Sequence, residues 1–359
     1  MKVIDGSILE GGGQILRVSV ALSAATGKPV KIINIRSKRT RPGLQPQHFV
    51  AVKAVAQISN AEVKGLQLGS KELEFVPHQL REGDFFFDIG TAGSTTLVLQ
   101  ALMPSLAYTP GEVTIRVKGG TNNPFAPPVE FMQCVLVPTL KRLGYEASVG
   151  MTKRGFYPKG GGIIKAISKP IRRLSPLTLT DLGRVIKIRG FSFSSRLPPS
   201  VTEGLTSGAE AVLRRAGYQD ISIENESRKS WESQCALNEG SGIFLFAETT
   251  SGMLFANDAL GRKGASDQKT GMDVAEGLLS QFSTGAAVDL HLADQLIVWA
   301  AMADGVSVLR TTQLTLHTVT CLEISKKILG IEFQIEGREG EPATIRIEGK
   351  GIKNLSTLA

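Results

Sequence analysis

The stretch Gln313-Leu314-Thr315-Leu316-His317-Thr318-Val319-Thr320 marks the junction between a predicted strand and a predicted helix. Residues 306–311 before it have the composition of a strand, and the apolar residues after it recur at helical spacing as far as Gly330. A glycine just beyond the last periodic residue is a common helix stop. We therefore predict that His317 lies at or next to the N-terminus of a helix.

This position decides what the His317 imidazole could do. The free N–H groups and the positive dipole end of a helix N-terminus favour a bound phosphate group. A histidine beside a phosphate can act as a nucleophile, an acid, a base or a hydrogen-bond donor. A histidine satisfied by local hydrogen bonds is the alternative, and this residue taken alone leaves both interpretations open.

The order helix–strand–helix–strand around His317 occurs three times along the chain. We predict an α+β fold of three repeated βαβαββ-like units, each a small sheet backed by two helices. Flanking strands are predicted at 73–76, 85–89 and 344–348. The predicted elements are 14–26, 30–35, 47–59 and 62–66 in the first unit, 94–108, 112–117, 128–143 and 146–149 in the second, and 291–303, 306–310, 318–329 and 331–335 in the third.

The third unit begins about 117 residues later than the spacing of the first two units predicts. Part of this excess has its own alternation, with strands at 185–193, 220–225 and 243–249 and a helix at 201–216. Prolines and glycines lie near its edges, where domain boundaries are expected. The predicted division is 1–176 for the first two core repeats, 177–264 for a smaller inserted α+β domain, and 265–359 for the third repeat, which completes the catalytic domain.

Composition limits the class of protein. The chain has 359 residues with 42% hydrophobic residues, typical of a globular protein, and no apolar run approaches the ~18 residues of a membrane span. Its net charge of +8 indicates a polyanionic partner. Three isolated cysteines argue against a disulfide framework and a structural zinc site. Without a signal-like N-terminus, we expect a cytoplasmic protein with no membrane partner.

Charged groups interrupt otherwise apolar or glycine-rich segments near the N-terminus. Glu10-Gly11-Gly12-Gly13 precedes a helix whose single early charge is Arg17. Glycines let a backbone approach phosphate oxygens closely, although the Gly-Lys-Ser/Thr ending of a P-loop is missing. A loop further along the chain carries four cationic side chains close together. The guanidinium group of arginine suits bidentate phosphate binding, although solvated loops often carry similar runs of charge. This loop contains Arg36, Lys38, Arg39 and Arg41, followed by Gln47 and His48.

Two further helices carry isolated polar groups. Gln100 is the lone amide of an apolar helix, and a buried amide needs partners from the protein or a ligand. His291, Asp294 and Gln295 stand at i, i+3 and i+4, so they project from one face. A helix N-cap cluster could explain His291 alone, but it does not easily explain all three residues, so a ligand site is favoured. The proline-rich loop 119–128 could stack on a base or pack locally.

Together these segments resemble the RNA 3′-terminal phosphate cyclases. The resemblance covers nearly the whole core in order, so it is more specific than any single motif. The segments are Glu10-Gly-Gly-Gly-Gln-Ile-Leu-Arg17, Arg36-x-x-Arg39-x-x-Pro-Gly-Leu44, Gly90-Thr-Ala-Gly-Ser-Thr-Thr-Leu-Val-Leu-Gln100, Gly119-Gly-Thr-Asn-Asn-Pro-x-Ala-Pro-Pro128, Gly155-Phe-Tyr-Pro-Lys-Gly-Gly-Gly162, Leu292-Ala-Asp-Gln295 and the His317 stretch.

The resemblance implies a reaction that needs ATP and Mg²⁺ or Mn²⁺ and acts on RNA with a 3′-terminal phosphate. It implies that His317 attacks the α-phosphorus of ATP and releases pyrophosphate. The adenylyl group would then pass to the RNA 3′-phosphate, and the neighbouring 2′-hydroxyl would displace AMP to leave a 2′,3′-cyclic phosphate. The chain is also compatible with a homo-oligomer.

The resemblance also implies roles for individual residues. Glu10 would hold the metal, and Pro127 would pack on the adenine opposite His291. This chain departs from the family pattern at two positions. They are His291, where many relatives have tyrosine, and Cys321, where asparagine is common. The implied nucleotide-lining residues are Gln100, Pro127, His291, Leu292, Ala293, Asp294 and Gln295, and the implied phosphate-binding residues are Arg17, Arg36, Arg39, Gln47 and His48.

Two other functions stay open at this stage. A non-catalytic cyclase-like ribosome-assembly factor is similar in fold but lacks the nucleophilic histidine, so the presence of His317 argues against it. An enolpyruvyl transferase-like enzyme resembles the repeat architecture and binds phosphates without a histidine–AMP intermediate.

Overall fold

Four four-stranded sheets and the helices packed on them make up residues 1–357, the part of the chain that the computed structural model describes. Each sheet contains both parallel and antiparallel strand pairs. The predicted α+β class is confirmed. Within these residues, no helix is both long and apolar enough to cross a membrane.

The first two sheets have the same strand arrangement. In each, the first two strands are parallel and connected through a helix, and the last strand lies antiparallel between the second and the third. The first sheet and its helices are β1 (Lys2–Asp5), α1 (Gly13–Thr26), β2 (Val30–Ile33), α2 (Pro46–Ile58), β3 (Glu62–Lys64) and β4 (Leu73–Val76). The second comprises β5 (Gly83–Asp88), α3 (Thr95–Leu106), β6 (Val113–Gly119), α4 (Val129–Phe131), a π-helical segment (Met132–Leu136), α5 (Val137–Lys141), β7 (Ala147–Lys153) and β8 (Gly162–Ser168).

A separate sheet forms within the predicted insertion, in the order β11-β10-β12-β13. Two helices, α6 and α7, pack against each other and against this sheet. The elements of this part of the chain are β9 (Thr178–Leu179), β10 (Val185–Ser195), α6 (Ser200–Arg215), β11 (Ile221–Arg228), β12 (Gly240–Thr249), β13 (Leu254–Leu260) and α7 (Asp267–Phe282).

Two of these elements lie across the predicted boundaries at 176 and 264. Strand β9 pairs with a strand of the last core sheet, and α7 packs on the inserted sheet rather than in the third unit. The sequence did not predict α7, because glycine lowers helix propensity. Gly271 is nevertheless required there, since a Cβ would lie 1.9 Å from the Leu205 carbonyl oxygen of α6.

The third core sheet repeats the strand order of the first two, with β9 as its first strand. It and its helices are completed by α8 (Leu290–Met302), β14 (Val306–Thr311), α9 (Leu316–Leu329), β15 (Glu332–Glu336) and β16 (Ala343–Glu348).

Helix α1 is the centre of the core. It contacts α2, α3 and α9, and α9 contacts α8, so helices from all three core sheets pack together. Eleven of its fourteen residues are buried, which fits a helix that is apolar on nearly every side. Polar side chains near the N-termini of α1, α8 and α9 meet in this arrangement, as their hydrogen bonds show.

Candidate active site

His317 lies in the first turn of α9, as predicted. Thr315 is the N-cap, and its hydroxyl accepts a hydrogen bond of 3.1 Å from the Thr318 amide. Because the cap comes from Thr315, the imidazole of His317 is free for other partners. Its Nδ1 lies 2.8 Å from Oε1 of Gln14 on α1.

Gln14 determines which imidazole nitrogen carries the proton. Its amide nitrogen donates to Asp294 Oδ2 at 2.6 Å and to Cys321 Sγ at 3.1 Å. The amide oxygen therefore faces His317, and an oxygen can only accept, so Nδ1 must be the protonated nitrogen. The lone pair of His317 is then on Nε2.

The surroundings also keep this imidazole neutral. Partial burial lowers the pKa of His317 below its ordinary value, because desolvation disfavours the imidazolium. The negative charge of Glu10 acts in the opposite direction, whereas the cations Arg17 and Arg39 lower the pKa further. A neutral imidazole with a free Nε2 is a good nucleophile.

Asp294 is held beside Gln14 by α8. The N-cap of this helix is Asp289, whose Oδ1 accepts from the His291 and Leu292 amides at 2.8 and 2.7 Å. Burial raises the pKa of Asp294 to about 7, with Asp289 acting in the same direction and Arg17 against it. The nearby thiol of Cys321 stays protonated, since burial raises its pKa well above the ordinary value.

The glycine-rich segment before α1 allows several polar groups to approach one another. A Cβ on Gly12 would lie 2.4 Å from Glu10 Oε2, and one on Gly13 would lie 2.2 Å from His48 Nε2. Gly12 is the N-cap of α1 and supplies no side-chain cap. Arg17, one turn along, donates from Nε to Gln100 Oε1 at 3.1 Å.

Glu10 is nearly inaccessible and forms an ion pair with Arg39, which is half-exposed. Its other oxygen accepts from the backbone N–H of Gln14 at 3.3 Å. Among the described residues, no group of three or more His, Cys, Asp or Glu side chains could hold a metal ion. Mg²⁺ often binds through one or two carboxylates together with substrate phosphates. Glu10 is therefore a carboxylate that could hold a metal ion only together with ligands supplied by a substrate.

Two of the other predicted phosphate-binding residues, Arg36 and Gln47, have hydrogen-bond partners of their own. Arg36 donates from Nη1 to the Gly43 carbonyl at 3.0 Å, and Gln47 accepts from the Ser94 amide at 3.0 Å. His48 is buried, which lowers its pKa to about 3, and the charges of Arg17 and Arg36 add to this effect. His48 is therefore a neutral group behind the glycine-rich segment.

A cavity of about 970 Å³ opens in front of His317. Its core side contains five of the predicted nucleotide-lining residues, together with Gln14 and Arg17. Leu292 and Ala293 are buried in the core on the other side of α8 and do not line it. The five lining residues are Gln100, Pro127, His291, Asp294 and Gln295.

The sequence interpretation missed the bridging role of Gln14. Gln14 belongs to the segment that carries the family resemblance, but the sequence assigns no partner to its side-chain amide. The same holds for the buried Arg154, which is described below. No local signal reveals either contact, because the partners of Gln14 lie 280 to 307 residues away along the chain.

Comparison with known proteins gives one consistent family. The model of the RNA 3′-terminal phosphate cyclase family matches residues 8–335. A protein of Ignicoccus hospitalis named RNA 3′-terminal phosphate cyclase is 44% identical over 353 residues, covering 97% of this chain and 99% of its own. Proteins with the same name from Hyperthermus butylicus and Methanopyrus kandleri are 44% and 43% identical, each over 97% of this chain and 98% and 99% of their own.

Proposed function

Since the chain belongs to the RNA 3′-terminal phosphate cyclase family, we propose that it converts an RNA 3′-terminal phosphate into a 2′,3′-cyclic phosphodiester at the expense of ATP. The observation that carries the mechanism is the orientation of His317. Gln14 holds Nδ1–H at 2.8 Å, and Nε2 is left with its lone pair beside a cavity large enough for a nucleotide.

In the first step, Nε2 of His317 attacks the α-phosphorus of ATP. The N–P bond forms as the bond to the pyrophosphate oxygen breaks, so pyrophosphate leaves with its electron pair. The imidazole ring gains positive charge, and the Gln14 oxygen stabilises that charge by accepting from Nδ1–H.

In the second step, an oxygen of the RNA 3′-phosphate attacks the phosphorus of the bound AMP group. The P–N bond breaks, and His317 leaves as a neutral imidazole with the tautomer it had before. In the third step, the 2′-hydroxyl attacks the 3′-phosphorus and loses its proton, while AMP departs. The terminal phosphate is left as a five-membered cyclic diester.

The charge on the phosphates is met by cations that surround His317. Arg17 lies at the cavity wall, and Arg39 is near enough to affect the pKa of His317. A metal ion bound by Glu10 would supply further positive charge to phosphate oxygens when it is present. Pro127 and His291 line the same cavity and are the proposed adenine contacts.

The decisive experiment is incubation with ATP labelled at the α-phosphate and with Mg²⁺ or Mn²⁺, followed by denaturing electrophoresis. An acid-labile label on the protein supports the cyclase mechanism, because a phosphoramidate hydrolyses in acid. A protein that stays unlabelled under these conditions would favour the ribosome-assembly factor or the enolpyruvyl transferase-like enzyme.

Arg36→Ala and Arg39→Ala are expected to slow adenylyl transfer to RNA by about 10- to 100-fold, roughly 1.4–2.8 kcal/mol, with a smaller effect on self-adenylylation. Both side chains come from a loop that does not line the nucleotide cavity. Pre-adenylylated protein, mixed with 3′-phosphorylated RNA, gives the transfer rate directly. Arg41→Ala is the matched control, since this arginine is exposed on the same loop. Equal losses in both steps would instead assign Arg36 and Arg39 to the ATP phosphates.

RNA that ends in a 2′-deoxynucleotide 3′-phosphate is expected to accept the adenylyl group but not to cyclise, because the third step needs the 2′-hydroxyl. Ribonucleotide substrates of different sequence should cyclise within about tenfold of one another, ~1.4 kcal/mol, since phosphate contacts carry no base information. Thin-layer analysis of the released terminal nucleotide shows whether the 2′-deoxy RNA has cyclised. The same analysis gives the cyclisation rate of each ribonucleotide substrate. A cyclic product from the 2′-deoxy RNA would overturn the assigned reaction.

A further inference from the structure

Arg154 follows β7 and is almost completely buried, with 4% of its side chain exposed. Every side of its guanidinium has a partner. Nη1 donates to Glu130 Oε1 and, at 3.2 Å, to Asn122 Oδ1. Nε and Nη2 form a bidentate pair with Glu226 at 3.3 and 3.2 Å, and the group lies 3.8 Å from the Phe193 ring centroid.

These partners belong to two parts of the molecule. Glu130 and Asn122 are in the core, on α4 and on the loop before it, whereas Glu226 is on β11 and Phe193 on β10 of the inserted sheet. Arg154 therefore joins the inserted domain to the core through a buried charge network. A bidentate arginine–carboxylate pair fixes direction as well as distance.

The core side of this network continues into the wall of the nucleotide cavity. Asn122 donates from Nδ2 to Glu130 Oε2 at 2.9 Å, so Glu130 and Arg154 together hold its amide. Asn122 is the first residue of a loop that lines the cavity continuously as far as Pro128. Further along this loop, the Pro127 carbonyl accepts from the Thr96 hydroxyl at 2.7 Å.

The opposite wall of the cavity comes from the inserted domain. Ser241 on β12, Asp258 on β13 and Lys269 on α7 all line it. The separation of the two walls thus depends on how the inserted domain is docked. Arg154 contacts both sides, since Glu226 is on the inserted sheet and Asn122 begins the core wall.

We propose that Arg154 is a positioning residue through which the inserted domain sets the affinity of the cavity for the adenine nucleotide. This inference rests on the proposed function. It gives the inserted domain a part in nucleotide binding, while His317 and Gln14 retain the chemistry. The Arg154–Glu226 pair determines the distance between the two walls and leaves the reacting nitrogen untouched.

Glu226→Gln and Arg154→Lys test this inference. Glutamine keeps the shape of Glu226, which is 31% exposed, but removes its charge, and lysine keeps the charge of Arg154 but not the fork. Arg142→Met is the matched control. Arg142 also joins core and insert, through a 3.2 Å hydrogen bond to the Gly252 carbonyl, but unlike Arg154 it has no hydrogen-bond partner that lines the cavity.

Two quantities are measured for each protein: the Kd of α,β-methylene-ATP by calorimetry, and the rate of histidine adenylylation at saturating ATP. We expect the Kd to rise by about tenfold or more, ~1.4 kcal/mol, in both Arg154→Lys and Glu226→Gln. The saturated rate should stay within about threefold of the wild-type value, and Arg142→Met should leave the Kd within about twofold.

The results separate this inference from the proposed function. A wild-type protein that does not bind the analogue contradicts the proposed function. Wild-type binding with an unchanged Kd in folded Glu226→Gln overturns the role of the network, even if Arg154→Lys does not fold. An equal rise in Arg142→Met, or a slower saturated rate with unchanged Kd, also overturns it.

Discussion

Replacement of His317 by alanine is expected to abolish protein-bound AMP, with a fall in the adenylylation rate of at least about 10³-fold, because the attacking nitrogen is removed. The fold should persist. The imidazole is exposed to the cavity, and the helix is capped by Thr315 rather than by His317, so the free energy of unfolding should change by less than about 1 kcal/mol.

The measurement is acid-labile label from α-labelled ATP, with circular dichroism to verify the fold. RNA synthesised with an adenylylated 3′-phosphate provides an internal control, since the third step does not use His317. The His317→Ala protein should still cyclise that RNA. His291→Ala is the matched variant, because His291 lines the same cavity and should still allow labelling. Label retained in folded His317→Ala protein would move the nucleophile elsewhere, with His291 as the next candidate.

Gln14→Leu is expected to slow adenylylation by about 10²-fold or more, since an imidazole in the wrong tautomer is a poor nucleophile. Leucine cannot accept from Nδ1–H, so the proton is free to occupy Nε2. It also removes the donor that Asp294 and Cys321 share. The rate should be measured in a single turnover at saturating ATP, so that weaker binding does not enter the result.

The dependence on pH distinguishes tautomer control from a general loss of structure. The nucleophile must be neutral, and the pKa of His317 lies below its ordinary value, so the wild-type rate should fall only as the pH drops through that lowered pKa. Gln14→Glu keeps an acceptor for Nδ1–H but adds negative charge, which favours the imidazolium and moves this acidic limb to higher pH. At higher pH the rate should recover most of the wild-type value.

Gln14→Leu adenylylation within about threefold of the wild-type rate would show that the Gln14 contact does not control the chemistry. The same holds if Gln14→Glu has the acidic limb of the wild-type protein. Both variants are interpretable only if they fold, and the melting temperature decides that point. Gln14 is buried, with 3% of its surface exposed. Leucine is similar in size to glutamine and, unlike glutamate, places no charge at this buried position.

Local patterns predicted much of the core. Gly330 is predicted as a helix stop, and in the structure it is a left-handed residue directly after α9, as Gly27 is after α1. The i, i+3, i+4 spacing of His291, Asp294 and Gln295 predicted a shared face, and all three line the cavity. The inclusion of Leu292 and Ala293 as nucleotide-lining residues came from the resemblance alone, and the helical period turns both towards the core.

Local sequence patterns are enough to predict the α+β class, a helix start next to His317 and the helical face that carries Asp294. These features depend on contacts within about four residues, which composition and spacing encode directly. The position of Gln14 between His317 and Asp294, and the connection that Arg154 makes from Asn122 to the inserted sheet, depend on tertiary packing. A buried polar side chain must find a partner, but its own sequence neighbourhood does not say which one, because that partner is brought near by the packing of the helices and domains.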